Sequence, residues 1–186
     1  TAACGTAEAK CEVSVGAAGY KVGDLYDVNG VKGVVFEVES DGVHGKIVSL
    51  DESGAVLWAA SGYGSYNTGA KSETDGKANT DKLVEIGVEH FPAAEWCVNH
   101  GEGWYMPAIN EGQAWLAIRD ELNPTITANG GTAITDYYWS STEGEEDSTQ
   151  AIYFYVSSFS DSGVSSYGDW KDYPEGDTYV RAIYAF

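Results

Sequence analysis

Four short runs of β-branched and aromatic residues, Leu25–Val28, Lys32–Glu39, His44–Leu50 and Ala55–Ala60, are separated by Asn29-Gly30, Asp41-Gly42 and Ser53-Gly54. Such dipeptides supply the left-handed backbone that tight hairpins need. The chain is therefore expected to open as a β-meander, and this constrains the fold more than any other feature. Ala55–Ala60 is also the longest apolar run, far below the roughly 20 residues that cross a bilayer. No membrane insertion is expected.

Residues 1–19 are rich in Ala, Gly and Thr without helical or strand period, and read as a linker or the tail of an upstream domain. The chain starts at Thr1 with no apolar leader, so a leader or upstream domain is expected to have preceded it. The compact unit should run from 20 to 186. Gly62–Lys77, full of Gly, Ser, Thr and Asn, reads as a long surface loop. Two helices are then predicted. The first lies near 92–100, with Pro92 at its start and a stop at His100-Gly101. The second lies near 110–122, with Asn110 and Gln113 as a capping box, a Trp115/Ile118/Leu122 stripe and Asn123-Pro124 as its end.

After Gly130-Gly131 the composition shifts. Residues 137–186 hold 8 of the 13 tyrosines and 9 serines, with Lys171 and Arg181 as their only bases. Ile152 to Ser157 alternates, so that Ile152, Phe154 and Val156 can face a core while Tyr153, Tyr155 and Ser157 face away. Tyr179–Phe186 reads as a terminal strand. The whole is a mixed α+β pattern.

With 29 acidic against 10 basic residues, the formal charge is −19. A phosphate-backbone binder needs the opposite sign, so no nucleic acid is expected as partner. At 43% hydrophobic and 13% aromatic, the chain is too apolar for a disordered acidic tail.

The candidates for chemistry are few. His90, Cys97 and His100 lack a fourth ligand in any metal motif, and read as a buried cysteine beside surface histidines. Glu143, Glu145, Glu146 and Asp147 form an acidic run that reads as a solvated loop and matches no EF-hand spacing. Gly62-Tyr63-Gly64-Ser65 lacks the following glycine of a nucleophile elbow. Cys4 and Cys11 are near enough in sequence to pair or to stay free. No metal, cofactor or catalytic residue is assigned. Trp96, Trp104, Trp115 and Trp139 read as packing residues, whereas Trp170 sits among Tyr, Ser, Gly and Asp in Ser165–Tyr173, the composition of an antibody-like paratope.

Gly103-Trp104-Tyr105-Met106-Pro107-Ala108, the helix from Asn110, Tyr138-Trp139-Ser140-Ser141-Thr142-Glu143 and Val180-Arg181-Ala182 resemble bacterial surface domains with a C-type-lectin-like fold. The opening from Val22 to Tyr26 and from Gly45 to Leu50 is similar to their first hairpins. The C-terminal segment resembles the variable region of a diversity-generating retroelement target, in which adenine mutagenesis diversifies chosen codons. The resemblance implies an α+β domain of two helices packed on small antiparallel sheets, the terminal strand joining one of them. It implies scaffold at Ala151, Ile152, Phe154, Val156, Val164 and Val180. It implies display at Tyr153, Tyr155, Ser158, Ser160, Ser165, Ser166, Tyr167, Gly168, Asp169, Trp170, Asp172 and Tyr173. The implied function is a non-enzymatic, secreted or surface-displayed module that binds a macromolecular or glycan ligand. The alternative is a glycan-binding lectin or adhesin without diversification. The Glu-Pro-Asn, Gln-Pro-Asp and Trp-Asn-Asp motifs of calcium-dependent lectins are missing, as is the cysteine pair of the formylglycine-generating enzymes.

Overall fold

The structure, a computed structural model, describes residues 19–135, 137–144, 147–158, 160, 163–172 and 178–186. Cys4 and Cys11 lie outside them. The chain is an α+β fold. One sheet has the order β1 (Leu25–Val28), β2 (Val31–Val38), β3 (Gly45–Ser49), β7 (Ile183–Ala185); the other has the order β4 (Tyr137–Glu143), β5 (Gln150–Val156), β6 (Val164–Trp170). Every pairing within these sheets is antiparallel. Four helices, α1 (Gly76–Gly87), α2 (Pro92–Val98), α3 (Ile109–Ala117) and α4 (Arg119–Ala128), stand between them in sequence.

The opening hairpins follow their turn chemistry. Asn29 and Gly30 both take positive φ, at 52° and 86°, and Val28 pairs with Val31 across that two-residue loop. Asp41 closes the next turn by accepting from the backbone N–H of Val43 and His44. The fourth run, Ala55–Ala60, is not a strand. It threads the core with single bonds to separate partners, Val56 N–H to Thr178, Ala59 N–H to Lys171 and Ala60 N–H to His90, while Trp58 donates its indole N–H to the Ser140 carbonyl. Its apolar character reflects burial by packing, and its backbone is satisfied without a ladder.

The helical region departs from expectation in two ways. Residues 76 and 77, placed in the long loop, begin α1, which Asp75 caps by accepting from Ala78 N–H and which ends at Gly87 with φ of 127°. The predicted helix at 110–122 is two helices broken at Ile118, and Pro124 lies inside the second. Pro124 is the sixth residue of α4, beyond the first turn, so it removes one backbone bond, to the Asp120 carbonyl, without ending the helix. The cap of α3 is Glu111, not Gln113: its carboxylate accepts from the N–H of Ala108.

The terminal segment is strand only over Ile183–Ala185, because it changes partners on the way. Tyr179 exchanges backbone bonds with Tyr137 and Trp139 of β4, and Ile183 to Ala185 then pair with β3. One segment thus ties both sheets together. Beneath it lie two cores, one around Trp58, Phe91, Cys97, Trp139 and Val180, the other around Phe36, Trp115, Leu122, Tyr138, Phe154 and Ile183.

Candidate binding face

The β4–β5–β6 sheet carries the candidate site, and its register decides which residues act together. Directly opposed residues share a face. Tyr137 opposes Tyr155, which opposes Ser165; Trp139 opposes Tyr153, which opposes Tyr167; Ala151 opposes Asp169. On the reverse face, Tyr138 opposes Phe154, which opposes Ser166, while Ile152 opposes Gly168 and Gln150 opposes Trp170. The expected single display face is therefore two. Tyr153, Tyr155, Ser165, Tyr167 and Asp169 belong to one; Ser166, Gly168 and Trp170 belong to the other. The stretch with paratope-like composition is regular strand from Ser165 to Trp170, held by backbone pairing that its side chains do not advertise.

On the first face the tyrosines form a cluster. Tyr137 and Tyr155 stack with centroids 5.5 Å apart at 18°, Tyr153 lies 5.7 Å from Tyr155, and Trp139 meets Tyr153 edge-on at 6.1 Å. Trp139 is buried, its indole N–H donated to the Val56 carbonyl. Exposure rises outward: Tyr153 and Tyr155 are half-buried, Tyr137 is 44% and Tyr167 69% exposed. Burial, then the charge of Asp169, pushes the Tyr153 phenol up. Tyr137 was missed by sequence reasoning, although the alternation Tyr137, Tyr138, Trp139 carries the signal: the middle residue is wholly buried and its neighbours share the other face.

The reverse face packs on α3. Phe154 is fully buried, Trp115 meets it at 5.2 Å and Tyr138 stacks on it at 6.0 Å, and Gly112 leaves room for its ring. Ile152 and Val156 are half-buried against the same core. Beyond α3 a recess of about 390 Å³ opens, lined by Ile109, Ile152, Thr142 and Ser166 with Lys71 and Glu73 among its charged walls. Trp170, 51% exposed, stands on this side of the sheet.

The other expected display positions lie off the sheet. Ser158 is exposed and Ser160 half-buried in the β5–β6 connection, which Ser157 and Gly163 close by backbone bonds. Asp172 is exposed and its carboxylate sits over Gly64. Tyr173 lies outside the described residues.

Two buried cations anchor this region, and both were undervalued in the sequence. Lys171 is fully buried, donates to Glu143 and to the Tyr66 carbonyl, and lies 4.7 Å over the Trp58 ring. Burial pushes its ammonium down, with Glu143 opposing. Glu143 also accepts from the N–H of Thr68 and Gly69, so it belongs to the core and not to a solvated acidic loop. Asp147 of that run is exposed and accepts from Thr149; Glu145 and Glu146 lie outside the described residues. Arg181, also fully buried, donates to Glu52 at 2.7 Å and to the carbonyls of Ser49 and Thr132.

His90, Cys97 and His100 do not converge. His90 stacks on Tyr63 at 3.8 Å, Cys97 is sealed in the core with its thiol pushed well up by burial, and His100 bonds Asp51 at 2.9 Å. Glu39, Asp41 and His44 do bring ligand atoms within 4.8 Å of one another, but all three are exposed, and Asp41 is already engaged in closing its own turn. Among the described residues, no helix is long and apolar enough to cross a membrane.

No protein-family model and no curated protein matches the chain.

Proposed function

We propose that this chain is a non-enzymatic, surface-displayed ligand-binding domain of the C-type-lectin-like kind, and that β5, β6 and their flanks form a diversifiable binding surface of the retroelement type. The observation that carries this reading is the tyrosine cluster of Tyr137, Tyr153, Tyr155 and Tyr167 on one face of a sheet whose other face is bolted to α3 through Phe154. Rigid aromatic side chains offer large contact area at low entropic cost, and a packed sheet holds them ready. The terminal strand returning to the opening hairpins supports the lectin-like likeness. The ligand on this reading is a macromolecule, and a net charge of −19 disfavours nucleic acid.

Two measurements test the proposal. Sequencing the same locus in sibling strains should find substitutions concentrated at positions such as Tyr153, Tyr155, Ser165 and Tyr167, with Phe154, Lys171 and Arg181 constant. Substitutions spread evenly along 137–186 would end the retroelement reading. Replacing Tyr137, Tyr155 and Tyr167 together with Ala should abolish capture of peptide or glycan ligands found by array screening, while the domain still melts cooperatively. Glycans as the sole captured class would favour the lectin alternative.

A further inference from the structure

Residues 137–186 contain nine acidic side chains and two basic ones. Both bases, Lys171 and Arg181, are fully buried and consumed by internal partners: Glu143 and the Tyr66 carbonyl for one, Glu52 and backbone carbonyls for the other. Strands β4, β5 and β6 contain no Lys or Arg at all. The face that carries the tyrosines therefore presents aromatic rings, hydroxyls and carboxylate, with no cation of its own. Asp169 lies one same-face step along β6 from Tyr167, about 6.6 Å at strand rise. One of its oxygens accepts from the Trp170 N–H, and the carboxylate sits close enough to Tyr153 to disfavour the phenolate there.

This combination selects by charge. An anionic ligand meets a like-signed surface at every approach, whereas a cation gains from the field at long range and from specific groups on arrival. A guanidinium suits the face better than an ammonium. It is planar and weakly hydrated, stacks on a phenol ring, and can hydrogen-bond a carboxylate at its edge while it stacks. Tyr137 and Tyr167 supply exposed ring faces, the half-buried Tyr155 stacks on Tyr137, and Asp169 supplies the carboxylate. Resting on the binding reading above, we propose that the tyrosine face docks an arginine-bearing segment of a partner protein, with guanidinium groups seated on the tyrosines and drawn to Asp169.

The test is selection of twelve-residue peptides from a random display library on the whole chain, followed by fluorescence anisotropy with the enriched peptides. Arginine should be enriched in the selected pool, and binding should weaken several-fold between 50 and 300 mM salt, because screening removes the long-range attraction. Asp169→Asn and Tyr167→Ala should each weaken binding at least fivefold. A variant that removes two exposed acids from α1, Asp81→Asn with Glu85→Gln, should bind as the parent does. Three results would overturn the proposal. If the α1 variant loses as much as Asp169→Asn, the attraction is general charge and no site exists. If neutral or acidic peptides are enriched and need Tyr167, the face binds ligands but not cations, and the binding reading survives alone. If no selected peptide depends on the tyrosines, both fall.

Discussion

The contact between Phe154 and Gly112 holds the candidate face in position, and it can be weighed with a double-mutant cycle. Phe154 is fully buried, and a Cβ at Gly112 would come within 2.9 Å of three carbons of its ring. Phe154→Ala deletes a large core ring and should cost about 3–5 kcal/mol, a large part of the roughly 5–15 kcal/mol that stabilises a domain. Gly112→Ala is subject to opposing effects. In the interior of α3 an alanine gains about 1 kcal/mol of helix propensity, but overpacking against the ring costs about 1–3 kcal/mol. The net in the parent is a loss. With Phe154→Leu the ring is gone, so Gly112→Ala should change sign and stabilise by up to about 1 kcal/mol. Urea unfolding of the four proteins gives the coupling, expected at about 1–3 kcal/mol. If Gly112→Ala has the same effect in both backgrounds to within about 0.5 kcal/mol, the sheet does not rest on α3 through this contact and the argument fails.

Lys171→Met should destabilise by about 3–5 kcal/mol, because Glu143 is left as a buried unpaired charge; adding Glu143→Gln should recover part of the loss, and urea midpoints that do not rise in the double variant would contradict this. Tyr167→Ala should shift stability by less than about 1 kcal/mol, since the ring is 69% exposed, and a melting transition displaced like that of Phe154→Ala would remove Tyr167 from the surface. The Asp51–His100 pair makes stability depend on pH. Burial lowers the His100 pKa but the bond to Asp51 outweighs it, so His100 stands above its ordinary value and Asp51 below its own. The histidine share is complete below about pH 6.5 and fades as pH rises through the raised folded value; the aspartate share is complete above about pH 3.9 and fades as pH falls. The stability difference between the parent and His100→Gln should therefore be larger at pH 5 than at pH 8, and an equal difference would refute the pairing.

Much of the fold was legible because local chemistry and tertiary packing agree. Asn29-Gly30 and Asp41-Gly42 make the hairpins they promise, Pro92 starts α2, and the alternation around Phe154 orients β5 correctly. The failures share a cause: elements stabilised by tertiary contacts that leave little trace in residue type. Ala55–Ala60 is apolar because it crosses a core between several partners, and no period distinguishes that from a buried strand. In α1 the apolar stripe is thin, Leu83 being its only fully buried large residue, so the signals were Asp75 and Gly87 alone. Ser165 to Trp170 is a strand by virtue of its pairing with β5. Missing that strand merged two faces into one and set Trp170 beside tyrosines from which the sheet separates it.

The same separation explains how this region can tolerate change. In β6 only Val164 is buried; from Ser165 to Trp170 every side chain is half-buried or exposed, and the backbone bonds to β5 are made whatever the side chain. Substitutions there should stay within the small range typical of surface positions. The strand is clamped at both ends by residues that do not belong to either display face: Val164 in the core at one end, and Lys171 in its pocket of Glu143, Trp58 and Tyr66 at the other. The buried lysine is costly to desolvate, and a methionine would fill its volume without that cost. What the ion pair adds is register. Lys171 can satisfy Glu143 at only one position along the strand, and a slip of one residue would exchange the two faces, moving Tyr167 to the side now held by Ser166 and Gly168. On the proposed reading, a sheet that displays variable side chains needs such a fixed point outside them, and Glu143 with Lys171 would provide it.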